Sequence, residues 1–233
     1  MMVSKRAVPI TTLRLLGNSL LGSLCLSGLV IGCAVLPQIY STSHSESISL
    51  QAGDLERAGL AILTPDTVWG RDEDKQALAL IFTAVLKNER PAIGVIGLPQ
   101  TLNRINRESL SAAYRQLRTE YRESGLFPPS PLQRLGQATG VRYVAQLKLA
   151  GFDQNFDTRL SAFGLRLMAT KYANMRLFLQ IWDTETATIA WEGSEESNYA
   201  VDTGAEKAIP FKTIVEETAR NLIATLPRNP PKT

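Results

Sequence analysis

Histidine and cysteine are almost absent from this chain of 233 residues. Its one histidine is His44, and its two cysteines are Cys25 and Cys33. Beyond residue 44 the chain therefore offers no thiolate nucleophile, no histidine-based catalytic triad and no cysteine or histidine ligand for a metal. A fold in that part must hold by packing, without disulfides. Chemistry that uses only carboxylates is not excluded.

Acidic residues are missing from the start of the chain, where Glu46 is the first of them. Lys5, Arg6 and Arg14 accompany a charge-free, largely apolar stretch from Leu15 to Leu36. A basic start followed by an apolar run is typical of a secretory signal. Because about 20 apolar residues can span a bilayer as a helix, an inner-membrane protein with an uncleaved N-terminal anchor is the alternative interpretation.

Cys33 closes the apolar run, directly after Leu29-Val30-Ile31-Gly32. This segment resembles the export signal of bacterial lipoproteins. The resemblance implies a signal peptide over residues 1–32, cleavage between Gly32 and Cys33, and attachment of diacylglycerol and palmitate to the Cys33 end. The residue that follows is Ala34 and not aspartate, which in enteric lipoproteins indicates the outer membrane.

The charge balance argues against nucleic acid as a partner. The chain has 25 basic and 22 acidic residues, and removal of residues 1–32 leaves 22 of each sign. A nucleic-acid-binding protein carries a clustered excess of lysine and arginine. The remaining chain is close to neutral, so we expect no nucleic acid partner.

The pattern along the chain predicts one domain between two unstructured ends. Residues 33–56 are rich in serine and indicate the acylated cysteine followed by a flexible tether. Residues 228–233 contain two prolines and predict a disordered tail. The intervening residues 57–227 are enough for a single hydrophobic core.

Within that domain the periodicity changes from helical to alternating after Gly140. Apolar runs predict buried strands at 59–64 and 92–97, and apolar residues at helical spacing predict helices at about 71–88, 107–123, 130–140 and 210–226. Alternating apolar residues after Gly140 predict antiparallel strands. The expected fold class is α/β, a single domain with a mixed sheet, an antiparallel C-terminal meander and about four packed helices.

Two segments of the domain resemble a known family of envelope proteins. They are Leu135-Gly-Gln-Ala-Thr-Gly-Val-Arg-Tyr-Val144, a helix-to-strand junction, and Leu177-Phe-Leu-Gln-Ile-Trp-Asp-Thr-Glu-Thr-Ala-Thr-Ile-Ala-Trp-Glu-Gly-Ser194, a strand–turn–strand unit. Both are similar to the CsgG/LpoB/PelC lipoproteins and, more remotely, to the amino-terminal domain of TolB. That family often has glycine where this chain has Ala187.

The resemblance implies a non-catalytic module that assembles with envelope proteins or serves secretion. It implies no catalytic residue, no cofactor and no metal. The partners it implies are membrane lipid through acylated Cys33 and envelope proteins, with a homo-oligomer as a further candidate. The expected location is the envelope of a Gram-negative cell, at the outer membrane and facing the periplasm. The rival function is an exported hydrolase that uses carboxylates, with Asp153, Asp157 and Asp183 as its acids.

Residues 153–173 separate two predicted strands by too many residues for a simple hairpin loop. Apolar and basic side chains alternate there, and this pattern predicts a contact with a partner or a membrane. The residues expected to make that contact are Phe163, Leu165, Arg166, Leu167, Met168 and Tyr172. The stretch is too short for two membrane-spanning strands with flanks, and packing on the domain's own sheet is the alternative.

Two further groups have simpler explanations. Trp69, Trp182 and Trp191 are expected to pack in the core or at its edge and not to form a recognition surface. The acidic triplet Asp72-Glu73-Asp74 suits the positive start of a helix better than a metal site.

Overall fold

The computed structural model describes residues 38–67, 72–162, 165–203 and 209–229. Contacts divide the chain into two units, Met1–Leu36 and Pro37–Thr233, and every described residue belongs to the second. The predicted signal peptide, Gly32 and Cys33 lie outside the described residues, as does the end of the predicted tail from residue 230 onward.

The described part contains seven strands and six helices. The strands are β1 (Gln38–Ser47), β2 (Leu60–Ile62), β3 (Asp66–Thr67), β4 (Val95–Ile96), β5 (Tyr143–Ala162), β6 (Leu165–Asp183) and β7 (Thr188–Thr203). The helices are α1 (Asp54–Ala58), α2 (Asp72–Glu89), α3 (Leu98–Arg107), α4 (Ser111–Ser124), α5 (Pro129–Thr139) and α6 (Phe211–Ala224).

All strands join one mixed sheet in the order β1-β7-β6-β5-β2-β4, with β3 paired to β5. The short strands β2, β3 and β4 pair in parallel, whereas β5, β6, β7 and β1 pair antiparallel. The expected α/β class with an antiparallel C-terminal meander is confirmed.

Helices cover both faces of the sheet. On one face, α2 and α6 bury a large cluster that includes Phe82, Leu179 and Trp191. On the other, α3, α4 and α5 bury a smaller cluster around Phe127 and Trp182. The two clusters arise because successive residues of a strand point to opposite faces, so Ile181 and Trp182 enter different cores.

The helix predicted at about 107–123 corresponds to α4, Ser111–Ser124, and the helix before it, α3, was not predicted. α3 ends at Arg107 and α4 begins at Ser111, and Ser109 between them has a φ of 57°. Pro99 lies in the first turn of α3. A proline is tolerated there because the first helical N–H groups have no intrahelical acceptor.

The expectation of a flexible tether through residue 56 is wrong from Gln38 onward. Residues 38–47 form β1, which pairs with β7 from Gln38 opposite Ala200 to Ser47 opposite Trp191. α1 follows, and Leu50 and Leu55 are buried in the larger core. A serine-rich segment shows no alternation of apolar and polar residues, but its backbone groups gain partners along a ten-residue strand. The folded unit therefore begins much closer to Cys33 than the sequence indicated.

Candidate partner-binding face

Strands β5 and β6 form one long hairpin. They pair from Tyr143 opposite Asp183 out to Ala162 opposite Leu165. The prediction that 153–173 separates two strands is therefore wrong, because this stretch is the outer half of the hairpin. A β-bulge between Leu149 and Gly151 explains the error. The extra residue shifts the inward-facing positions from odd to even numbers, so the alternation breaks in the sequence while the strand continues.

The structure describes only part of the predicted contact set. Phe163 lies outside the described residues. The backbone of residues 165–168 belongs to β6, but the side chains of Leu165, Arg166, Leu167 and Met168 also lie outside the description. Tyr172 is described, and 38% of its surface is exposed.

Tyr172 belongs to the part of one side of the antiparallel sheet, beyond α4, that no described helix covers. Residues directly opposite each other on neighbouring strands share one side, so the register shows which residues lie on it. We call this part the open face. Its residues include Tyr40, His44, Lys148, Asp153, Asn155, Tyr172, Asn174, Arg176, Phe178, Glu196 and Asn198. The opposite side of the same β6 segment buries Ala173, Met175 and Leu177.

Aromatic side chains stand exposed on the open face. Tyr40 of β1 is 66% exposed and Phe178 of β6 is 40% exposed. Phe178 lies between Lys148 of β5 and Ser194 of β7. Aromatic residues are enriched at protein interfaces, where they bury a large area at low entropic cost. The open face thus carries contact groups that the fold itself does not bury.

Polar side chains on the open face are fixed by one another. Arg176 donates from Nε and Nη2 to Oε2 of Glu196 at 3.1 and 2.7 Å. Asn174 donates from Nδ2 to Oδ1 of Asn198 at 2.8 Å and to Oε1 of Glu196 at 3.4 Å. The hydrogen bond from Arg176, followed by that from Asn174, lowers the pKa of Glu196. These cross-strand contacts hold charged and amide groups in place at the surface.

The inner boundary of the open face is a hydrogen-bonded group around Gln180. Tyr121 of α4 donates to Oε1 of Gln180 at 2.9 Å, and Trp182 donates to the same atom at 3.3 Å. Gln180 in turn donates to Oε2 of Glu192 at 3.2 Å. Burial, followed by the nearby charge of Asp66, raises the pKa of Tyr121 to about 12. α4 therefore covers this side of the sheet at Gln180, and the open face begins beyond that residue.

The three acids that the hydrolase alternative names, Asp153, Asp157 and Asp183, do not lie together as a general acid–base pair. Asp183 accepts from Nε and Nη2 of Arg142 at 3.0 and 2.6 Å. Burial of Asp183 acts to raise its pKa, but the hydrogen bonds from Arg142 and the backbone N–H of Glu185 outweigh it and the pKa is lowered. A general acid needs a raised pKa. Asp153 and Asp157 lie on β5, far along the hairpin from this pair.

Other groups have structural roles. Trp182 and Trp191 are buried, which confirms their expected place in the core, and Trp69 lies outside the described residues. No group of three or more metal-ligating side chains occurs in the part of the chain that is described.

A groove of about 500 Å³ lies between α5 and the β6–β7 turn, beside Gln133, Gln137, Arg142, Thr184 and Glu185. The hydroxyl of Thr184 in this groove donates to the backbone oxygen of Arg142 at 2.8 Å.

None of the six helices in the described part of the chain is both long enough and apolar enough to span a membrane.

Comparison with known proteins identifies similar folds at low identity. No family profile matches the chain, and no curated protein matches it. The PelC dodecamer from Paraburkholderia phytofirmans has 8% identity and a TM-score of 0.44 over 84% of this chain and 100% of its own. The lipoprotein GNA1162 from Neisseria meningitidis has 12% identity and a TM-score of 0.37, covering 72% of this chain and 98% of its own.

The C-terminal domain of LpoB from Salmonella enterica has 15% identity and a TM-score of 0.34, covering 66% of this chain and 87% of its own. PelC and LpoB are two of the proteins that the sequence resembles, so this part of the resemblance recurs among solved structures. Its extension to CsgG and TolB stays a prediction.

Proposed function

We propose that this protein is a lipoprotein of the Gram-negative envelope, anchored at the outer membrane and facing the periplasm. In this proposal it binds envelope proteins as a non-catalytic component of an assembly or secretion complex. In this proposal, acyl chains on Cys33 hold the protein at the membrane. Each acyl methylene buried in lipid contributes about 0.8 kcal/mol, so several chains hold the protein nearly permanently.

The observation that carries the binding role is the open face. It combines exposed aromatic rings, such as Phe178, with a polar set that the fold holds in position through Arg176 and Glu196. Pre-positioned polar groups lower the entropy lost on association. A protein partner that offers apolar side chains and hydrogen-bonding groups would fit this surface.

Lipid attachment is tested first. Cells that express the chain are grown with radiolabelled palmitate, and the N-terminus of the purified protein is determined by mass spectrometry. The wild type should be labelled and should begin at Cys33, and Cys33→Ser should be unlabelled. An intact N-terminus at Met1 or Met2 would instead support an inner-membrane anchor and exclude the lipoprotein.

Partner binding is tested separately by co-purification after mild detergent extraction. Phe178→Asp and Lys148→Glu should each lose proteins that the wild type retains. Leu126→Asp is the matched control, because Leu126 is 60% exposed but lies outside the open face. Equal loss in all three variants, or in none, contradicts a binding role for the open face. Native mass spectrometry of the same extracts tests the homo-oligomer.

A further inference from the structure

We infer that the outer edge of β1 pairs with the same strand of a second copy of this chain. The two strands would run antiparallel about a two-fold axis at Thr42, and the two sheets would become one. This inference assigns a surface to the homo-oligomer that is a candidate in the proposed function. It does not require lipid on Cys33, so the lipoprotein proposal and the strand pairing can fail separately.

β1 is the last strand at one end of the sheet. It pairs with β7 along all ten of its residues, and no described strand lies on its other side. A strand at a sheet edge presents a row of backbone N–H and C=O groups that have no strand partner, so it is a template for a further strand. All ten residues, Gln38–Ser47, are exposed, so the described part of the chain leaves this edge uncovered.

β1 lacks the features that usually protect an edge. Natural edge strands are short, contain a bulge, or carry proline or lysine. β1 has ten residues, contains neither proline nor lysine, and pairs with β7 without a register shift. β4 at the opposite end of the sheet has only two residues, Val95–Ile96, and both are half-buried. The sheet is thus open to a further strand at its β1 end.

A second copy of β1 is complementary to the first in charge and in hydrogen bonding. In an antiparallel pair, residues directly opposite one another point to the same side. A two-fold axis through Thr42 therefore places Tyr40 opposite His44 and Gln38 opposite Glu46, all on one side of the joined sheet. The amide of Gln38 can then donate to the carboxylate of Glu46, which carries the only formal charge of the strand. No like charges face each other across the junction.

Within one copy, Glu46 faces a like charge. It lies directly opposite Glu192 of β7, whose Oε2 accepts a hydrogen bond from Gln180 at 3.2 Å. Like charges directly opposite each other in a sheet are destabilising. A donor on the outer side of Glu46 would reduce this cost, and the second copy would supply one through Gln38.

The position of the axis follows from where β1 ends. An axis at Thr42 pairs nine residues of each strand, from Gln38 to Glu46, and leaves out Ser47, after which the chain bends at residues 48 and 49. An axis at Ser41 would leave Glu46 without an opposite residue in the strand. An axis at Ser43 would bring Ser47 into the pairing and remove the contact of Glu46 with an amide.

The pairing would join two open faces into one surface. A two-fold axis perpendicular to the sheet keeps the same side of both copies facing the same way. Tyr40 and His44 belong to the open face, so in the dimer they would lie at the centre of a continuous face that is twice as wide. A partner protein of the proposed function would then meet two copies at once.

The contact is small, so covalent trapping is a better readout than dilution. Nine residues a side is well below the roughly 20–30 residues a side of a standard interface, and a weak dimer would dissociate in dilute solution. Residues directly opposite each other in an antiparallel pair have Cα atoms about 4.5–5.5 Å apart. This separation lies within the range of about 4.4–6.8 Å that a disulfide spans.

The experiment uses the full chain with Cys25→Ser and Cys33→Ser, extracted in mild detergent, so that one introduced cysteine is the only thiol. Thr42→Cys lies on the axis and should form a disulfide-linked dimer on mild oxidation. Tyr40→Cys is the matched control, because it lies on the same side of the same strand and is exposed. Its counterpart in the second copy would lie four residues along the strand, about 13 Å away, which is too far for a disulfide.

The yield of linked dimer should be several-fold higher for Thr42→Cys than for Tyr40→Cys. Mixing Tyr40→Cys with His44→Cys should give a linked dimer that neither variant gives alone. Circular dichroism shows whether each variant retains the fold.

Equal yields at positions 42 and 40 would indicate random collision and overturn the inference, as would a mixture of the 40 and 44 variants that gives no link. A link from position 42 to a different protein, identified by mass spectrometry, would assign the edge to that protein and not to a second copy. An oligomer detected by native mass spectrometry without any link at position 42 would refute this surface, while the homo-oligomer of the proposed function would stand.

Discussion

Ser43 of β1 donates a hydrogen bond to the carboxylate of Glu195, a β7 residue that is fully buried. Ser197 of β7 and Asn221 of α6 also donate to Glu195, at 3.4 and 3.1 Å. The carboxylate therefore joins the edge strand, its neighbour and a covering helix. No basic side chain pairs with it among the residues that the structure describes.

We predict that Glu195→Ala destabilises the protein by about 1–3 kcal/mol, because three donors lose their buried acceptor. Glu195→Gln should cost less, since its carbonyl oxygen still accepts one hydrogen bond. Glu196→Gln is the control, because Glu196 lies on the opposite, open side of β7, and it should cost much less than Glu195→Ala, since its ion pair with Arg176 is exposed to solvent. Urea unfolding measures all three. A Glu195→Ala variant as stable as wild type would show that Glu195 does not fasten β1.

Arg142 and Asp183 give the protein an acid-sensitive contribution to stability. The pKa of Asp183 is lowered from its ordinary value of 3.8 in the folded state. A carboxyl with a lowered pKa stabilises the fold fully above its unfolded pKa and loses this contribution as pH falls through the folded pKa. We therefore predict that Asp183→Asn is less stable than wild type at neutral pH.

That difference should shrink as the pH drops below about 4. Urea unfolding of both proteins from neutral to acidic pH measures it. Asp153→Asn, on the exposed part of β5, is the control. A difference that does not change with pH would show that the loss comes from packing and not from the charge of Asp183.

Gly136 allows α5 to approach the β6–β7 turn. A Cβ at this position would lie 2.1 Å from Oγ1 of Thr184 and 2.6 Å from its Cβ. We predict that Gly136→Ala destabilises the protein by about 1–3 kcal/mol through overpacking. Gly151→Ala is the control, because nothing lies within 4 Å of its added Cβ. Thermal unfolding separates the two, and equal melting temperatures would contradict the close approach.

Periodicity in the sequence predicted those helices and strands that bury one face in the core. α2 and α6 appear at their predicted positions because their apolar residues recur at helical spacing, and apolar residues alternate clearly at the start of β5 and the end of β6. β1 was missed because its alternating serines bury nothing. It is ordered by hydrogen bonds to β7, some 150 residues away in sequence, and no local pattern reports such a partner.

The candidate site was predicted only in part for the same reason. Tyr172 was found because its segment alternates apolar and basic residues. Tyr40, Phe178 and the ion pair of Arg176 with Glu196 were not predicted as part of the site, although all four residues can be read from the sequence. What brings them to one face is the register between strands, and the bulge after Leu149 shifts that register by one residue. Local sequence does not fix the position of a bulge.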